Sequence, residues 1–138
     1  MIRRALEADL PQLVALQPQW SIATFKAELA LQWSCIEVAE LEQQIAGFVA
    51  YWSVAQQIEI HNIVTREDLR RRGIARALLT HVLQRPVERV SLEVRAANTA
   101  ARQLYASLGF AAVGLRRKYY ADPVDDAVIL EKILPKRR

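Results

Sequence analysis

Apolar residues change their spacing about halfway along this chain. Leu10, Leu13, Val14 and Leu16 fall at helical spacing and predict a first helix over about 7–17, stopped by Pro18. Ser21 is a suitable N-cap for a second helix with Phe25, Leu29 and Trp33 on its inner face. Residues 36–41 alternate as a half-buried strand does, Gln43-Gln44 reads as a turn, and 45–54 is a second strand, apolar on both faces. Residues 57–65 complete an antiparallel meander. After the basic loop Leu69 to Gly73, apolar residues at 74, 75, 78, 79, 82 and 83 form one helical stripe that ends at Pro86. Alternation returns over 89–95. Asn98 is placed to cap a further helix with Ala101, Leu104, Tyr105 and Leu108 inward and Gly109 at its C′ position. Phe110 to Leu115 and Ala127 to Leu134 are the closing strands, joined by a loop that holds Tyr119 and Tyr120. The predicted order is ααβββαβαββ: an α/β (α+β) architecture, one mixed, mostly antiparallel sheet with helices on its faces.

A length of 138 residues with 52% apolar content fits one domain spanning 1–138. Cys35 is the only cysteine, which excludes a disulfide framework and any multi-cysteine zinc or iron–sulfur site. No His/Asp/Glu spacing points to a metal. There is no apolar run of membrane-spanning length and no signal-peptide core, so the expectation is a soluble, cytoplasmic protein, a monomer or weak dimer, without a membrane partner. The net charge is +4. Three positive charges are the terminal Lys136-Arg137-Arg138, read as a solvated tail; the rest of the excess gathers at Arg70-Arg71-Arg72 and Arg116-Arg117-Lys118. Local clusters in an otherwise balanced chain favour a discrete anionic ligand over a surface that coats nucleic acid.

The richest stretch follows the strand that ends near Val64: Arg70-Arg71-Arg72-Gly73-Ile74-Ala75-Arg76 opens a helix. A helix start exposes unpaired N–H groups and a partial positive charge. Gly73 permits close approach, Ala75 keeps the first turn slim, and the arginines add fixed charge, a combination suited to a pyrophosphate. An exposed basic helix start with glycine as its cap explains the same residues. There is no Walker A loop and no Gly-x-Gly-x-x-Gly.

This stretch resembles the Gln/Arg-x-x-Gly-x-Gly/Ala signature of the GNAT superfamily of N-acetyltransferases. Leu92-Glu93-Val94-Arg95-Ala96-Ala97-Asn98, Ala101, Leu104-Tyr105, Gly109-Phe110, Gly114-x-Arg116 and Tyr119-Tyr120 resemble its RimI-type branch, as does Trp20-Ser21-x-x-x-Phe25. Members of that branch acetylate the N-terminal alanine of a small-subunit ribosomal protein. The resemblance implies acetyl-coenzyme A as co-substrate and an acceptor that is a protein N-terminus. Backbone groups of Ile63, Val64 and Thr65 would meet the pantetheine arm; Arg70, Arg71, Arg72, Gly73, Ile74, Ala75 and Arg76 the pyrophosphate; and Asn98 the coenzyme. Glu93 would be the general base, Tyr105 the general acid, and Tyr119 and Tyr120 part of the loop over the acceptor.

The residue types suit such chemistry. An α-amino group titrates near 7.7–8.0, whereas a lysine near 10.4 costs about 3.5 kcal/mol more to neutralise. Alternation puts Ser91, Glu93 and Arg95 on one sheet face and Leu92 and Val94 on the other; desolvation on a cleft face moves a carboxyl toward a useful base. Without the resemblance, Glu93 reads as an ordinary strand glutamate paired with Arg95 or Arg89, and Tyr105 as a core aromatic whose hydroxyl finds a partner. Cys35 reads as a buried or idle thiol and His81 as lying off its helix's apolar stripe. His61, beside the coenzyme strand, reads as a structural polar residue or an aid to proton transfer, and the tryptophans as core or groove lining. Two other readings stay open: the same fold acting on a small amine, and a non-catalytic RNA- or ribosome-binding domain that uses the basic clusters.

Overall fold

The computed structural model describes residues 1–135, so the basic tail at 136–138 lies outside the described residues. Four helices and seven strands follow the chain: β1 (Ile2–Arg4), α1 (Leu10–Leu16), α2 (Ile22–Ala30), β2 (Ser34–Leu41), β3 (Gln44–Val54), β4 (Gln57–Thr65), α3 (Ile74–Leu83), β5 (Arg89–Arg95), α4 (Thr99–Ser107), β6 (Ala111–Ala121) and β7 (Val124–Ile133). The strands form one sheet in the order β1-β2-β3-β4-β5-β7-β6, antiparallel except where β4 meets β5.

The sheet separates two cores. Ile36, Val38, Phe48 and Ala50 pack on Leu10 and Leu13 of α1 and Phe25 of α2. Val49, Tyr51, Ile58, Ile60, Leu92 and Val94 pack on Leu78, Leu79 and Val82 of α3 and Tyr105 of α4. β3 supplies both, which is why it reads as apolar on both faces. Ser21 Oγ accepts from Thr24 N at 3.1 Å and caps α2; Asn98 Oδ1 accepts from Ala101 N at 3.2 Å and caps α4. Gly109, at φ +94, closes α4 in the left-handed region. His81 is not idle. Its Nε2–H donates to Glu37 Oε2 at 2.6 Å, while the Tyr51 hydroxyl donates to Oε1 at 2.5 Å, tying α3 to the sheet through a buried carboxylate. Cys35 is buried and free, and burial raises its thiol pKa.

Four expectations need correction. The first strand was not anticipated: three residues are too few for a period, and β1 holds its place by pairing with Glu37 to Ala39 of β2. The first helix is shorter, because Glu7–Asp9 is a 3-10 turn and α1 begins at Leu10 with Pro11 in its first turn. The largest change is at Tyr119 and Tyr120, which lie in β6 and not in a loop. As an edge strand exposed along nearly its whole length, β6 shows no alternation, and the Arg116-Arg117-Lys118 run falls where its register with β7 slips. The β2–β3 turn also sits one residue earlier, at Glu42-Gln43, both with positive φ.

Candidate active site

β4 and β5 are hydrogen-bonded only over Gln57–Ile60 with Arg89–Leu92. Beyond that point β4 follows β3 and β5 follows β7, so the two central strands part. The gap opens a cavity of about 1170 Å³. On one side stand Ile63, Val64 and Thr65, whose outward backbone edge has no ladder partner among the described residues; on the other stand Glu93, Val94, Arg95 and Asn98.

The start of α3 forms one end of the cavity. Gly73 is its N-cap with φ +80, a left-handed conformation that glycine adopts without steric cost. Ile74, Ala75 and Arg76 form the first turn on the cavity wall, with Arg70 and Arg71 beside them. Arg76 is held by donating to Ser107 Oγ of α4 at 2.9 Å. Arg72 is exposed and does not line the wall. A residue that sequence reasoning passed over fixes the approach of α3 to the sheet: a Cβ at Gly47 would lie 2.6 Å from the Val64 carbonyl oxygen and 3.3 Å from Ile74. A glycine inside a strand is itself a signal of close backbone approach.

A second cavity, about 530 Å³, lies on the other side of the strand gap and shares Ile60, His61, Leu92, Glu93 and Tyr120 with the first. Glu93 stands at this junction with its side chain 28% exposed. It pairs with Arg116 of β6, whose Nε–H donates to Oε1 at 2.8 Å, and not with Arg89 or Arg95. Arg89 pairs with Glu131. Arg95 donates to the Pro123 carbonyl at 2.8 Å and stacks over Tyr120 at 4.3 Å. Asp125 Oδ2 accepts from Ala97 N and Asp126 Oδ1 from Lys118 N, so the β6–β7 hairpin is pinned across the end of β5. That pinning brings Tyr119 and Tyr120, ring centroids 5.1 Å apart, over the smaller cavity.

Tyr105 reaches the larger cavity from α4 and is only 6% exposed. Desolvation by burial, with a smaller contribution from Tyr120, pushes its hydroxyl pKa up to about 12. Among the described residues that hydroxyl has no hydrogen-bond partner. A buried phenol that holds its proton and spends it on no neighbour is available to something that enters the cavity.

A parted pair of central strands, a basic helix start at one end of the gap and a carboxylate–phenol pair on its walls agree with the comparisons to known proteins. Residues 2–110 match the family model described as "Acetyltransferase (GNAT) family". The chain belongs to the GNAT acetyltransferase family. It is 35% identical over 133 aligned positions to the [ribosomal protein bS18]-alanine N-acetyltransferase of Escherichia coli K12, covering 88% of this chain and 89% of that one. It is 33% identical over 135 positions to the N-alpha-acetyltransferase RimI of Mycobacterium tuberculosis, covering 94% and 85%. The crystal structure of the Escherichia coli ribosomal-protein-S18-alanine N-acetyltransferase superposes with a TM-score of 0.91 at 30% identity, over 100% of this chain and 96% of that one. This GNAT chain is thus a RimI-like, acetyl-CoA-dependent N-acetyltransferase. Among the described residues no helix is long and apolar enough to cross a membrane.

The features that sequence reasoning missed are Arg116 as the partner of Glu93, Gly47 as the point of closest packing, and Gln17 and Gln19 on the wall of the larger cavity, where Trp20 takes the groove-lining place expected of it. Only the glycine carried a local signal. The rest depend on contacts between distant parts of the chain.

Proposed function

We propose that this protein is a single-domain N-α-acetyltransferase that acts on a protein N-terminus, with the N-terminal alanine of a small-subunit ribosomal protein as acceptor, which places its work in the cytoplasm. The observation that carries the reading is 35% identity, across 88% of the chain, to an enzyme named for that reaction. The exposed Tyr119 and the open smaller cavity support it, since both leave room for an extended chain behind the reacting amine.

The residues present fit acetyl-coenzyme A. The free edge of β4 at Ile63, Val64 and Thr65 offers N–H and C=O groups to an amide-bearing arm, as a neighbouring strand would. The first turn of α3 with Arg70, Arg71 and Arg76 offers N–H groups and positive charge to a pyrophosphate. When bound, the coenzyme supplies an acetyl thioester. Glu93 then takes a proton from the incoming amine; its Arg116 partner keeps the carboxylate oriented at the junction of the two cavities. Tyr105 returns a proton to the departing sulfur. A phenol near 12 is a reluctant acid toward a thiol of about 8.5 in water, but the burial that raises one acid raises the other, so the two approach each other inside the dry gap.

The test is mass spectrometry of N-terminal peptides that begin with Ala, Ser, Gly and Met, together with polyamines and free amino acids, after incubation with enzyme and acetyl-coenzyme A. N-α-acetylation of alanine-led peptides is expected. Acetylation of a small amine with the peptides untouched overturns the acceptor assignment.

A further inference from the structure

We propose that His61 is a second proton carrier for this reaction, with Glu59 as its partner and its outlet to solvent. The proposal rests on the N-acetyltransferase reading above, but not on which amine is the acceptor.

Proton stoichiometry creates the need. The amine arrives as R–NH₃⁺ and leaves as R–NH–CO–CH₃. One C–N bond forms, the C–S bond breaks with its electron pair going to sulfur, and nothing is oxidised or reduced. Two protons leave the nitrogen; one ends on the coenzyme sulfur and one in water. Glu93 can accept one at a time, so a second base at the same junction spares it from emptying in mid-reaction.

His61 stands at that junction. His61, Glu93 and Tyr120 are the titratable side chains that line both cavities. Its placement comes from a break in the β3–β4 ladder: Tyr51 pairs with Ile60 and Ala50 with Asn62, which leaves His61 unpaired between them. Ile60 and Ile63 consequently pack on the same core although three residues apart, and His61 and Asn62 are both turned to the opposite side. The ring is held from two directions. Its Nε2 lies 3.0 Å from Glu59 Oε1, and the Trp52 ring meets it edge-on at 4.7 Å. An ionised carboxylate only accepts, so in the neutral ring Nε2 carries the hydrogen and Nδ1 the lone pair. Among the described residues Nδ1 has no partner. A proton taken at Nδ1 makes an imidazolium whose charge Glu59 balances, and Glu59, with its side chain 66% exposed against 27% for His61, stands in contact with bulk water.

The experiment compares His61→Ala, His61→Gln and Glu59→Gln with wild type, using whichever amine the wild type acetylates. It measures kcat, acceptor KM, coenzyme Kd and melting temperature, each with and without added imidazole. The expected result for His61→Ala is a kcat lowered about tenfold or more, with coenzyme Kd and acceptor KM close to wild type and turnover restored in a saturable way by free imidazole. Glu59→Gln lowers kcat by less and leaves KM unchanged. If His61→Ala does not fold, His61→Gln carries the same comparison. A kcat within about twofold of wild type, a loss confined to KM, or a loss that imidazole does not restore overturns the proposal. Acetylation of small amines alone by the wild type removes the acceptor assignment above and leaves this test intact.

Discussion

Glu93 and Tyr105 show how much a single side chain owes to remote parts of the chain. The alternation of β5 orients Glu93, yet its guanidinium partner arrives from β6, which is separated from it by the whole of α4. Glu93→Gln keeps the size of the side chain and its capacity to accept from Arg116 while removing the base. Turnover should fall by about 10²–10⁴ with coenzyme affinity unchanged, read from steady-state kinetics beside calorimetry. Tyr105→Phe removes only a hydroxyl that no described group binds, so the melting temperature should stay the same or rise slightly. The single-turnover rate should nonetheless drop at least about tenfold. A wild-type rate in that folded variant would return Tyr105 to the role of a core aromatic, the role its apolar surroundings alone suggest.

At the scale of elements, the decisive feature is the start of α3. The anion site proposed there depends on an orientation: the first turn of α3 lines the gap between β4 and β5, with Gly47 packed close to Ile74 and the His81–Glu37–Tyr51 tie near the other end of the helix. A Cβ at Gly73 meets nothing within 4 Å, and aspartate tolerates the left-handed region better than most residues. Gly73→Asp should therefore fold, while its carboxylate stands against the place offered to the pyrophosphate. Coenzyme Kd should rise severely, by about a hundredfold if two charge-assisted contacts are lost. Unchanged binding by calorimetry in the folded variant would remove the anion site from the start of α3.

Across the whole molecule, the sheet is closed at one edge by β1 and pinned at the other by the hairpin of β6 and β7. The first edge depends on Arg3 and Asp9. Arg3 donates to both Asp9 carboxylate oxygens at 2.8 and 2.9 Å, and Leu6 N donates at 2.7 Å. The Arg3 guanidinium, above all, holds the Asp9 carboxyl below its ordinary value near 3.8, although burial opposes the shift. Since the folded-state pKa is the lower one, the unfolded chain binds the proton first as pH falls. The stabilisation is fully present above about pH 4–5 and is lost as pH drops through the folded-state value. Asp9→Asn should lower the melting temperature most near neutral pH, and the gap to wild type should narrow steadily below about pH 4. A gap that stays constant down to pH 2 would show that the pair contributes through packing alone.

The local pattern of the chain was enough to place most elements. Phe25 and Leu29 at helical spacing, Glu93 between Leu92 and Val94, and Asn98 ahead of Ala101 each carry their message within a few residues, because helix and strand periods and caps are short-range physics. The same local signals set out the basic helix start at Arg70 to Arg76, whose resemblance pointed to the family, and the resemblance of Leu92 to Tyr120 pointed to the branch. What stayed hidden was of another kind. β1 has too few residues to show a period, and β6 lies exposed at an edge where nothing forces alternation, so the strand position of Tyr119 and Tyr120 followed only from pairing with β7. The Glu93–Arg116 pair, the close contact at Gly47 and the unpaired His61 on the shared wall join residues far apart in sequence or depend on a slip in register between strands. Such features are products of packing: they exist only once the two cores have closed and β4 and β5 have parted, and no spacing along the chain encodes that divergence.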